Sequence, residues 1–311
     1  MKPIIIRPKS HDDWLRARQS GIGASEVGAI MGLSPFDTPF SIWLKKTGQV
    51  APEPENEAML MGHLLEDAVA KRWEIETGQK VIKASAADII YVHPEHPYMR
   101  VTPDRIVKGR KKILECKTTA MPVDENNLPP SWVAQVLYQQ YVTGIHDGDI
   151  AWLESGRHFG YAHIPYDEEF VKLIEETVTE FWMENVLGGK EPDAIAVSDL
   201  AVKVPKSTPE KSIEADEQAL DQINVLREKK AMYDALGDEI AELTDSLKMY
   251  MTDSEALLDG EGNVLCTWKS SKDKTSFDSK TFAAENPDLY DKYCKTVPGS
   301  RSFLIKKPKN K

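Results

Sequence analysis

The stretch that most constrains the fold is residues 98–119, which read YMRVTPDRIVKGRKKILECKTT. Residues Arg100 to Val107 are rich in β-forming side chains, and Gly109 with its basic neighbours is typical of a turn. A second short β-rich run covers Lys112 to Lys117. The pattern therefore predicts two strands joined by a turn.

The predicted hairpin carries a set of residues with the chemistry of a metal site. Asp104 lies on the first arm, and Glu115 and Lys117 lie on the second. Because side chains alternate along a strand, Glu115 and Lys117 share one face and Cys116 takes the other. Two converging carboxylates suit Mg²⁺, and a nearby lysine can position or help deprotonate an attacking water. The alternative is a surface hairpin that merely carries charges.

The segment GIGASEVGAIMG, residues 21–32, predicts a helix that follows a glycine-rich entry. Ser25 fits the N-cap of this helix, because serine is a favoured N-cap residue. Val27, Ile30 and Met31, which follow it, form the apolar face of the helix. A helix start with a free hydroxyl and unpaired N–H groups is suited to an anion. A capped helix without any ligand is the competing interpretation.

A stronger helix is predicted from Glu57 to Thr77, ending at Gly78 in the position typical of helix C-termini. Glu66 lies among its apolar positions, four residues after Gly62. Glu66 is either a solvated residue on the helix edge or a third carboxylate beside the hairpin. Gly62 would permit the close approach that the second hypothesis needs.

The order of predicted elements indicates an α/β fold with a sheet flanked by helices. The elements beyond the hairpin are a strand pair within Lys80–Val92, a helix Trp132–Thr143, strands Asp149–Leu153 and Phe159–Pro165, and a helix Asp167–Leu187. Gln135 and Gln139 share one face of the middle helix.

Near Pro205 the composition changes, and KVPKSTPEKS is typical of a linker. We therefore predict a domain over 1–205, a long helix within 206–253 and a small α+β module over 254–311. The long helix, from Ile213 to Met251, has apolar residues at heptad spacing, namely Leu226, Tyr233, Ile240 and Leu247 with Leu236, Leu243 and Tyr250 between them. A coiled coil and a helix packed on its own domain are both open. The module is expected to contain strands Val264–Lys269 and Arg301–Lys306, a partly helical region 279–293 and a basic tail.

Composition excludes several classes of protein. The net charge of −11 and the pI of about 5.2 argue against a protein that binds nucleic acid with its whole surface. The three cysteines are far apart and form neither a disulfide framework nor a zinc pattern, so we expect a reducing cytoplasm. Neither a signal peptide nor a membrane span is expected.

Several of these features occur in one order along the chain. They are Trp14, Arg18, the GIGASEV segment, Gly62 with Glu66, Pro103-Asp104, Glu115-Cys116-Lys117, and Trp132 to Gln135. This ordered set resembles the lambda-exonuclease-like, YqaJ-type viral recombinase family of the PD-(D/E)xK nuclease superfamily. The resemblance covers about residues 10–190.

The resemblance implies a restriction-endonuclease-like core with a central mixed sheet, and a Mg²⁺-dependent exonuclease that digests one strand of duplex DNA from a 5′ end. It implies two Mg²⁺ ions, for which Mn²⁺ can substitute. Asp104, Glu115 and the Cys116 carbonyl would bind them, and Glu66 would complete the set directly or through water. Lys117 would orient the attacking water.

The same resemblance assigns Arg18 and Ser25 to the terminal 5′-phosphate, and Gln135 and Trp132 to a helix beside the active site. It implies a phage or prophage origin, a single-strand annealing partner, and a ring-shaped trimer, although the long C-terminal extension puts the trimer in doubt. Two other hypotheses remain, a restriction-like endonuclease and an inert protein that binds DNA ends.

Overall fold

A computed structural model describes residues 2–51, 54, 56–83, 89–297 and 299–306. The chain divides into two compact units, Met1–Lys203 and Val204–Lys311. Within the described residues, no helix combines the length and the apolar character needed to cross a membrane.

The first unit is built from two sheets and the helices that cover them. Its strands are β1 (Ile4–Ile6), β2 (Val81–Lys83), β3 (Ile90–Val92), β4 (Arg100–Val101), β5 (Arg105–Val107), β6 (Ile113–Thr119), β7 (Asp147–Glu154) and β8 (His158–Pro165). Its helices are α1 (His11–Gln19), α2 (Ala24–Ile30), α3 (Pro39–Lys46), α4 (Glu57–Thr77), α5 (Pro130–Thr143), α6 (Glu168–Glu180) and α7 (Val197–Lys203), and a π-helical segment, Phe181–Leu187, follows α6.

The larger sheet has the order β2-β5-β6-β7-β8 and is mixed. Its pairs are antiparallel except β6 and β7, which run parallel in a register that begins at Ile113 opposite Gly148. Parallel neighbours need a crossover, and α5 supplies it. The predicted α/β class with a central mixed sheet flanked by helices is therefore confirmed. A smaller antiparallel sheet has the order β1-β3-β4.

The two faces of the larger sheet are buried by different helices. On one face, α5 packs with α2, α3 and α6 around a large apolar core that includes Ile113 and Ile150. On the other face, Trp73 of α4 packs in a smaller cluster with Leu114 and Ala151. Alternation along β6 thus sends neighbouring residues to opposite cores, as a doubly covered sheet requires.

The predicted hairpin differs from the structure on its first arm. Residues 100–107 do not form one strand, since β4 belongs to the small sheet and β5 to the large one. Pro103 lies between them, and a proline offers no N–H to a ladder, so the chain leaves one sheet before it enters the next. Asp104 consequently lies in the bend that precedes β5 and not within a strand. Gly109, with φ of 78°, makes the turn into β6.

Other expectations need correction. Strands β2 and β3, which correspond to the predicted strand pair, belong to different sheets and do not pair with each other. Residues 84–88 of that prediction lie outside the described residues. The N-cap of α2 is Gly23 and not Ser25, because Glu26 reaches back and accepts the Gly23 N–H at 2.7 Å. The predicted helix Asp167–Leu187 changes to π-helical geometry at Phe181.

The second unit contains one long helix, α8 (Glu217–Met251), followed by β9 (Ala256–Leu258), β10 (Val264–Thr267), α9 (Ser279–Glu285) and α10 (Pro287–Tyr293). The strands form an antiparallel pair, and the sulfur of Met251 lies 3.7 Å from Cys266 Sγ. The predicted strand Arg301–Lys306 is wrong, because this segment has no regular structure and pairs with no strand among the described residues. The coiled coil stays a prediction.

Candidate active site

A cavity of about 630 Å³ lies where the end of the large sheet meets α1, α2, α4 and α5. Most of the residues that the sequence singled out line it, namely Arg18, Ser25, Glu66, Asp104, Glu115, Cys116, Lys117 and Gln135. Residues from six separate parts of the chain therefore converge on one space.

Helix α4 contributes one stripe of side chains to this cavity. Met59, Gly62, His63 and Glu66 line it and recur at the three- and four-residue spacing of one helix face. The same stripe continues through Val69, Ala70 and Trp73, which are buried against the sheet. The C-terminal half of α4 thus anchors the helix, and its N-terminal half presents Glu66 to the cavity.

Asp104 is fixed by the backbone of the neighbouring strand. Strand β5 pairs with β6 only as far as Arg105 opposite Leu114, so the edge of β6 is open beyond that point. Asp104 Oδ2 accepts the N–H of Cys116 at 2.8 Å and thereby satisfies that open edge. The bend at Pro103 is what brings this carboxylate to the edge.

Glu115 is buried and held by three side-chain donors. Its Oε1 accepts from Lys117 Nζ at 2.8 Å and from Gln135 Nε2 at 2.5 Å, and its Oε2 accepts from Gln139 Nε2 at 2.8 Å. Lys117 Nζ also donates to Gln135 Oε1 at 2.7 Å. Strand β6 and helix α5 thus hold the carboxylate and the ammonium in one network, whose members are one helical turn or one strand repeat apart.

Glu66 is bound to a buried arginine. The Arg105 guanidinium donates to Glu66 Oε1, to Asp67 and, at 2.7 Å, to the carbonyl oxygen of Asp104. Its side chain is only 3% exposed, whereas that of Glu66 is 20% exposed. Arg105 therefore links the third carboxylate to the bend that carries the first. No local pattern marks Arg105 as part of the site, although it directly follows the Pro-Asp pair.

The electrostatics of the cavity are those of crowded carboxylates. Burial and the carboxylates of Glu115 and Glu66 raise the pKa of Asp104 well above its usual range. Burial alone would lower the pKa of Lys117, but Glu115 and Asp104 outweigh it, so that pKa is raised. The site therefore holds an ammonium firmly and lacks enough positive charge for its carboxylates.

These residues fit a hard divalent cation. The carboxylates of Asp104, Glu115 and Glu66 offer oxygen ligands, which Mg²⁺ prefers. A cation among them would offset the effects of burial and of carboxylate repulsion that raise the pKa of Asp104. Buried Gln139 Oε1 has no hydrogen-bond partner among the described residues, which adds a free acceptor close to Glu115.

Arg18 and Ser25 line the same cavity from α1 and α2. The Arg18 guanidinium lies 5.0 Å from the centre of the Trp14 ring. Two acidic residues close to Arg18 in the sequence have other partners, since Asp13 pairs with Arg16 and Glu26 pairs with Lys46. Ser25 is exposed at the second position of α2.

Trp132 is not brought into this cavity. Its ring centre lies 6.3 Å from that of Trp152, and the side chain packs against the large apolar core. Gln139 of α5 reaches the site in addition to Gln135. The sequence indicates this position because Gln135 and Gln139 share one face of the helix.

A second acidic group lies elsewhere on the sheet. Asp147, Asp149 and His163 bring potential ligand atoms within 4.8 Å of one another. The ammonium of Lys112 lies 2.7 Å from Asp149 Oδ1 and 3.4 Å from Asp147 Oδ1, so a protein cation already offsets part of the negative charge of this group. Trp73 Nε1 donates to the other oxygen of Asp149 at 3.2 Å. Asp147, Asp149 and His163 thus form a cluster of ion pairs and hydrogen bonds with Lys112 and Trp73.

The chain is similar in sequence to a family of known proteins. A family model described as the YqaJ-like viral recombinase domain matches residues 13–146, a span that includes every site residue named above from Arg18 to Gln139. The uncharacterized protein YqaJ of Bacillus subtilis (strain 168) is 34% identical over an alignment of 311 positions, which covers 96% of this chain and 94% of that protein.

Among solved structures, two exonucleases are similar to part of this chain. An alkaline exonuclease from Laribacter hongkongensis is 20% identical, with a TM-score of 0.47, over 57% of this chain and 93% of that chain. A phage related exonuclease from Haemophilus somnus 129PT is 13% identical, with a TM-score of 0.43, over 55% of this chain and 96% of that chain. In both cases the match covers nearly all of the other chain and little more than half of this one.

Proposed function

Because the chain belongs to the family of YqaJ-like viral recombinase domains, we propose that it is a metal-dependent nuclease that degrades duplex DNA from an end. The finer assignment is a Mg²⁺-dependent 5′→3′ exonuclease that leaves a 3′ single strand. Such a product is what a single-strand annealing protein requires, and we propose a protein of that class as the partner.

The observation that carries this proposal is the shared cavity. Asp104, Glu115 and Lys117 meet in it, and Arg18 and Ser25 line the same space. A group that cleaves a phosphodiester and a group that holds a terminal phosphate would therefore act on one strand. An endonuclease, which cuts within a strand, does not need residues that hold a terminal phosphate.

Asp104, Glu115 and Glu66 would hold the metal, with the Cys116 carbonyl as a further ligand. The N–H and C=O of a strand residue point to the same neighbouring strand, and the Cys116 N–H points to Asp104. The carbonyl would therefore face the same open edge. Bound there, Mg²⁺ would supply positive charge to the scissile phosphate as negative charge develops on its oxygens.

The protein's own side chains would arrange the nucleophile. Lys117 is held by both Glu115 and Gln135, so its ammonium has a fixed direction and can orient a water toward the phosphorus. Gln135 would act by fixing Lys117 and Glu115 relative to each other. Glu66, which Arg105 already engages through Oε1, would act through its second oxygen.

The 5′ polarity would follow from Arg18 and Ser25. A guanidinium can bind a phosphate through two parallel hydrogen bonds, and the hydroxyl of Ser25 adds a third donor. A terminal phosphate carries more negative charge than an internal one, so this pair would favour the end.

The test is digestion of three duplexes of one sequence: linear with 5′-phosphate, linear with 5′-hydroxyl, and closed circular, each with Mg²⁺ and with a chelator. We expect mononucleotide release from linear DNA only, faster with 5′-phosphate, and none with the chelator. The polarity is read from substrates labelled on one strand.

Each other outcome selects another hypothesis. Nicking of the closed circle at the rate of linear DNA would favour a restriction-like endonuclease. Binding of linear DNA by the protein without hydrolysis, at any Mg²⁺ or Mn²⁺ concentration, would favour an inert end-binding protein.

A further inference from the structure

A short connection between α1 and α2 separates the two residues proposed to hold a terminal phosphate. Arg18 lies in the last turn of α1 and Ser25 in the first turn of α2. Only residues 19–24 lie between them. The spacing of guanidinium and hydroxyl therefore depends on the conformation of this connection.

Lys46, the last residue of α3, binds this connection from within the protein. Its Nζ donates to the Gly21 carbonyl at 2.6 Å and to the Arg18 carbonyl at 3.1 Å, and it pairs with Glu26 Oε2 at 2.8 Å. These contacts use all three protons of the ammonium. One group thus joins the end of α1, the connection and the start of α2.

Glu26 completes the arrangement. Its Oε2, which pairs with Lys46, also accepts the N–H of Gly23, the N-cap of α2. The Lys46 side chain is 5% exposed and that of Glu26 is 16% exposed, so the pair is shielded from water. A buried charge must be fully hydrogen-bonded to be tolerated, and this ammonium is.

The opposite side of the connection is held by the small sheet. The N–H of Ile22 donates to the Tyr98 carbonyl at 2.6 Å, and Arg100 N–H donates to the Ile22 carbonyl at 3.1 Å. A side chain at Gly21 would collide with the Tyr98 carbonyl. Hydrogen bonds therefore hold the connection from two directions. The backbone of Tyr98 and Arg100 binds Ile22, and Lys46 of α3 binds the carbonyls of Arg18 and Gly21.

The energetics indicate what the buried pair contributes. Burial lowers the pKa of Lys46, and Glu26 only partly opposes that effect. Buried ion pairs often add little net stability over apolar residues of the same shape, although loss of one partner alone is costly. A role in fixing geometry therefore accounts for this pair better than a role in stability.

We propose that Lys46 is a positioning residue that sets the spacing of Arg18 and Ser25 and thereby the preference for 5′-phosphorylated ends. This inference rests on the proposed exonuclease function. Lys46 is not among the residues that line the cavity, so it would act through the backbone of Arg18 and Gly21.

The test compares the full-length wild type with the double variant Lys46→Met/Glu26→Gln. This variant removes both charges together, and the amide oxygen of glutamine can still accept the Gly23 N–H. The measured quantity is the ratio of kcat/KM on 5′-phosphorylated to 5′-hydroxyl duplex, with Ca²⁺ binding by calorimetry as a second readout. Lys45→Met is the matched control, since Lys45 precedes Lys46 on α3 and pairs with Asp37 near the surface.

We expect the double variant to lose most of a roughly tenfold end preference, while the rate on 5′-hydroxyl ends and Ca²⁺ binding stay as in the wild type. Lys45→Met should keep the full preference. If the double variant does not fold, Lys46→Arg alone serves, since it keeps the positive charge beside Glu26 and changes the donor geometry toward the Arg18 and Gly21 carbonyls, and a partial loss of the preference is expected.

The inference is overturned if the folded variant keeps the wild-type ratio, or if rates on both ends fall in parallel. A wild type that treats both ends alike overturns the end-recognition function itself, together with this inference. The wild-type measurement therefore tests the proposed end recognition, and the variant measurement tests the role of Lys46.

Discussion

Gln139 Nε2 donates to Glu115 Oε2 at 2.8 Å, and both side chains are buried. This hydrogen bond orients one carboxylate oxygen, while Lys117 and Gln135 engage the other. Oε2 keeps a lone pair for a further partner, because a carboxylate oxygen can accept two hydrogen bonds and only Oε1 already accepts two. Gln139 thus fixes the direction in which Glu115 can bind a cation.

From this contact we expect Gln139→Leu to weaken metal binding without unfolding the protein. Loss of a group that orients a ligand typically costs about ten- to a hundredfold in metal affinity. The measurement is Ca²⁺ binding by calorimetry. Gln140→Leu is the control, since Gln140 is equally buried on α5 but donates to the Ile164 carbonyl. Unchanged affinity in Gln139→Leu would show that Glu115 needs no such support.

Asp104→Asn should abolish cleavage yet leave the metal-free protein at least as stable as the wild type. A raised pKa means that the ionised carboxylate is less favourable in the folded state than in the unfolded state. Asparagine removes that charge and can still accept the Cys116 N–H. The measurement is the melting temperature in chelator, followed by the nuclease assay.

Glu115→Ala and Lys117→Ala are also expected to abolish cleavage in folded protein. Glu115 supplies a ligand, and Lys117 directs the water. A wild-type rate at saturating Mg²⁺ in either variant, or in Asp104→Asn, would mean that the reaction takes place elsewhere.

Arg18→Ala should erase most of the preference for a 5′-phosphate. A hydrogen bond to a charged group contributes about 1.5–3 kcal/mol, which corresponds to roughly tenfold or more in rate. Initial rates on the two end types provide the measurement. Arg16→Ala is the control on the same helix, because Arg16 is 74% exposed and pairs with Asp13. An equal loss of preference in both variants would indicate a general charge effect.

Residues 1–205 should fold without the remainder of the chain. The first compact unit ends at Lys203 and contains both apolar cores described around the large sheet. The fragment is expected to unfold in one cooperative thermal transition and to retain Ca²⁺ binding. A molten fragment would show that the first unit needs the C-terminal extension for its stability.

Stability should depend on Glu74 in a defined pH range. Its pKa is lowered from 4.5 to about 2, mainly because the Val81 N–H donates to its carboxylate at 3.0 Å and because Lys71 lies at 3.1 Å. A lowered pKa stabilises the folded state above pH 4.5, and this contribution is lost as the pH falls toward 2.

Glu74→Gln should therefore be less stable than the wild type at neutral pH by about 1 kcal/mol, with a difference that shrinks below pH 4.5. Urea unfolding followed by tryptophan fluorescence provides the free energies. Glu76→Gln is the control, since its pair with Arg72 is 44% exposed on both sides and should contribute little. A difference independent of pH would exclude this linkage.

The sequence by itself determined the elements that local chemistry dictates. The apolar stripe and C-terminal Gly78 define α4, and the turn at Gly109 with the β-rich run after it defines β6. Alternation along β6 then separates Glu115 and Lys117 from Cys116. These features depend on residues close in sequence, so periodicity and turn propensity are enough to predict them.

Only the tertiary structure decided which groups meet. The split of residues 100–107 between two sheets depends on which strand edges are available, and it moves Asp104 into a bend. The link of Arg105 to Glu66 spans 39 positions, and that of Lys46 to Gly21 spans 25. Trp132, expected on a helix beside the active site, packs against the large apolar core with its ring centre 6.3 Å from that of Trp152. Such contacts follow from packing between distant segments, which no local pattern encodes.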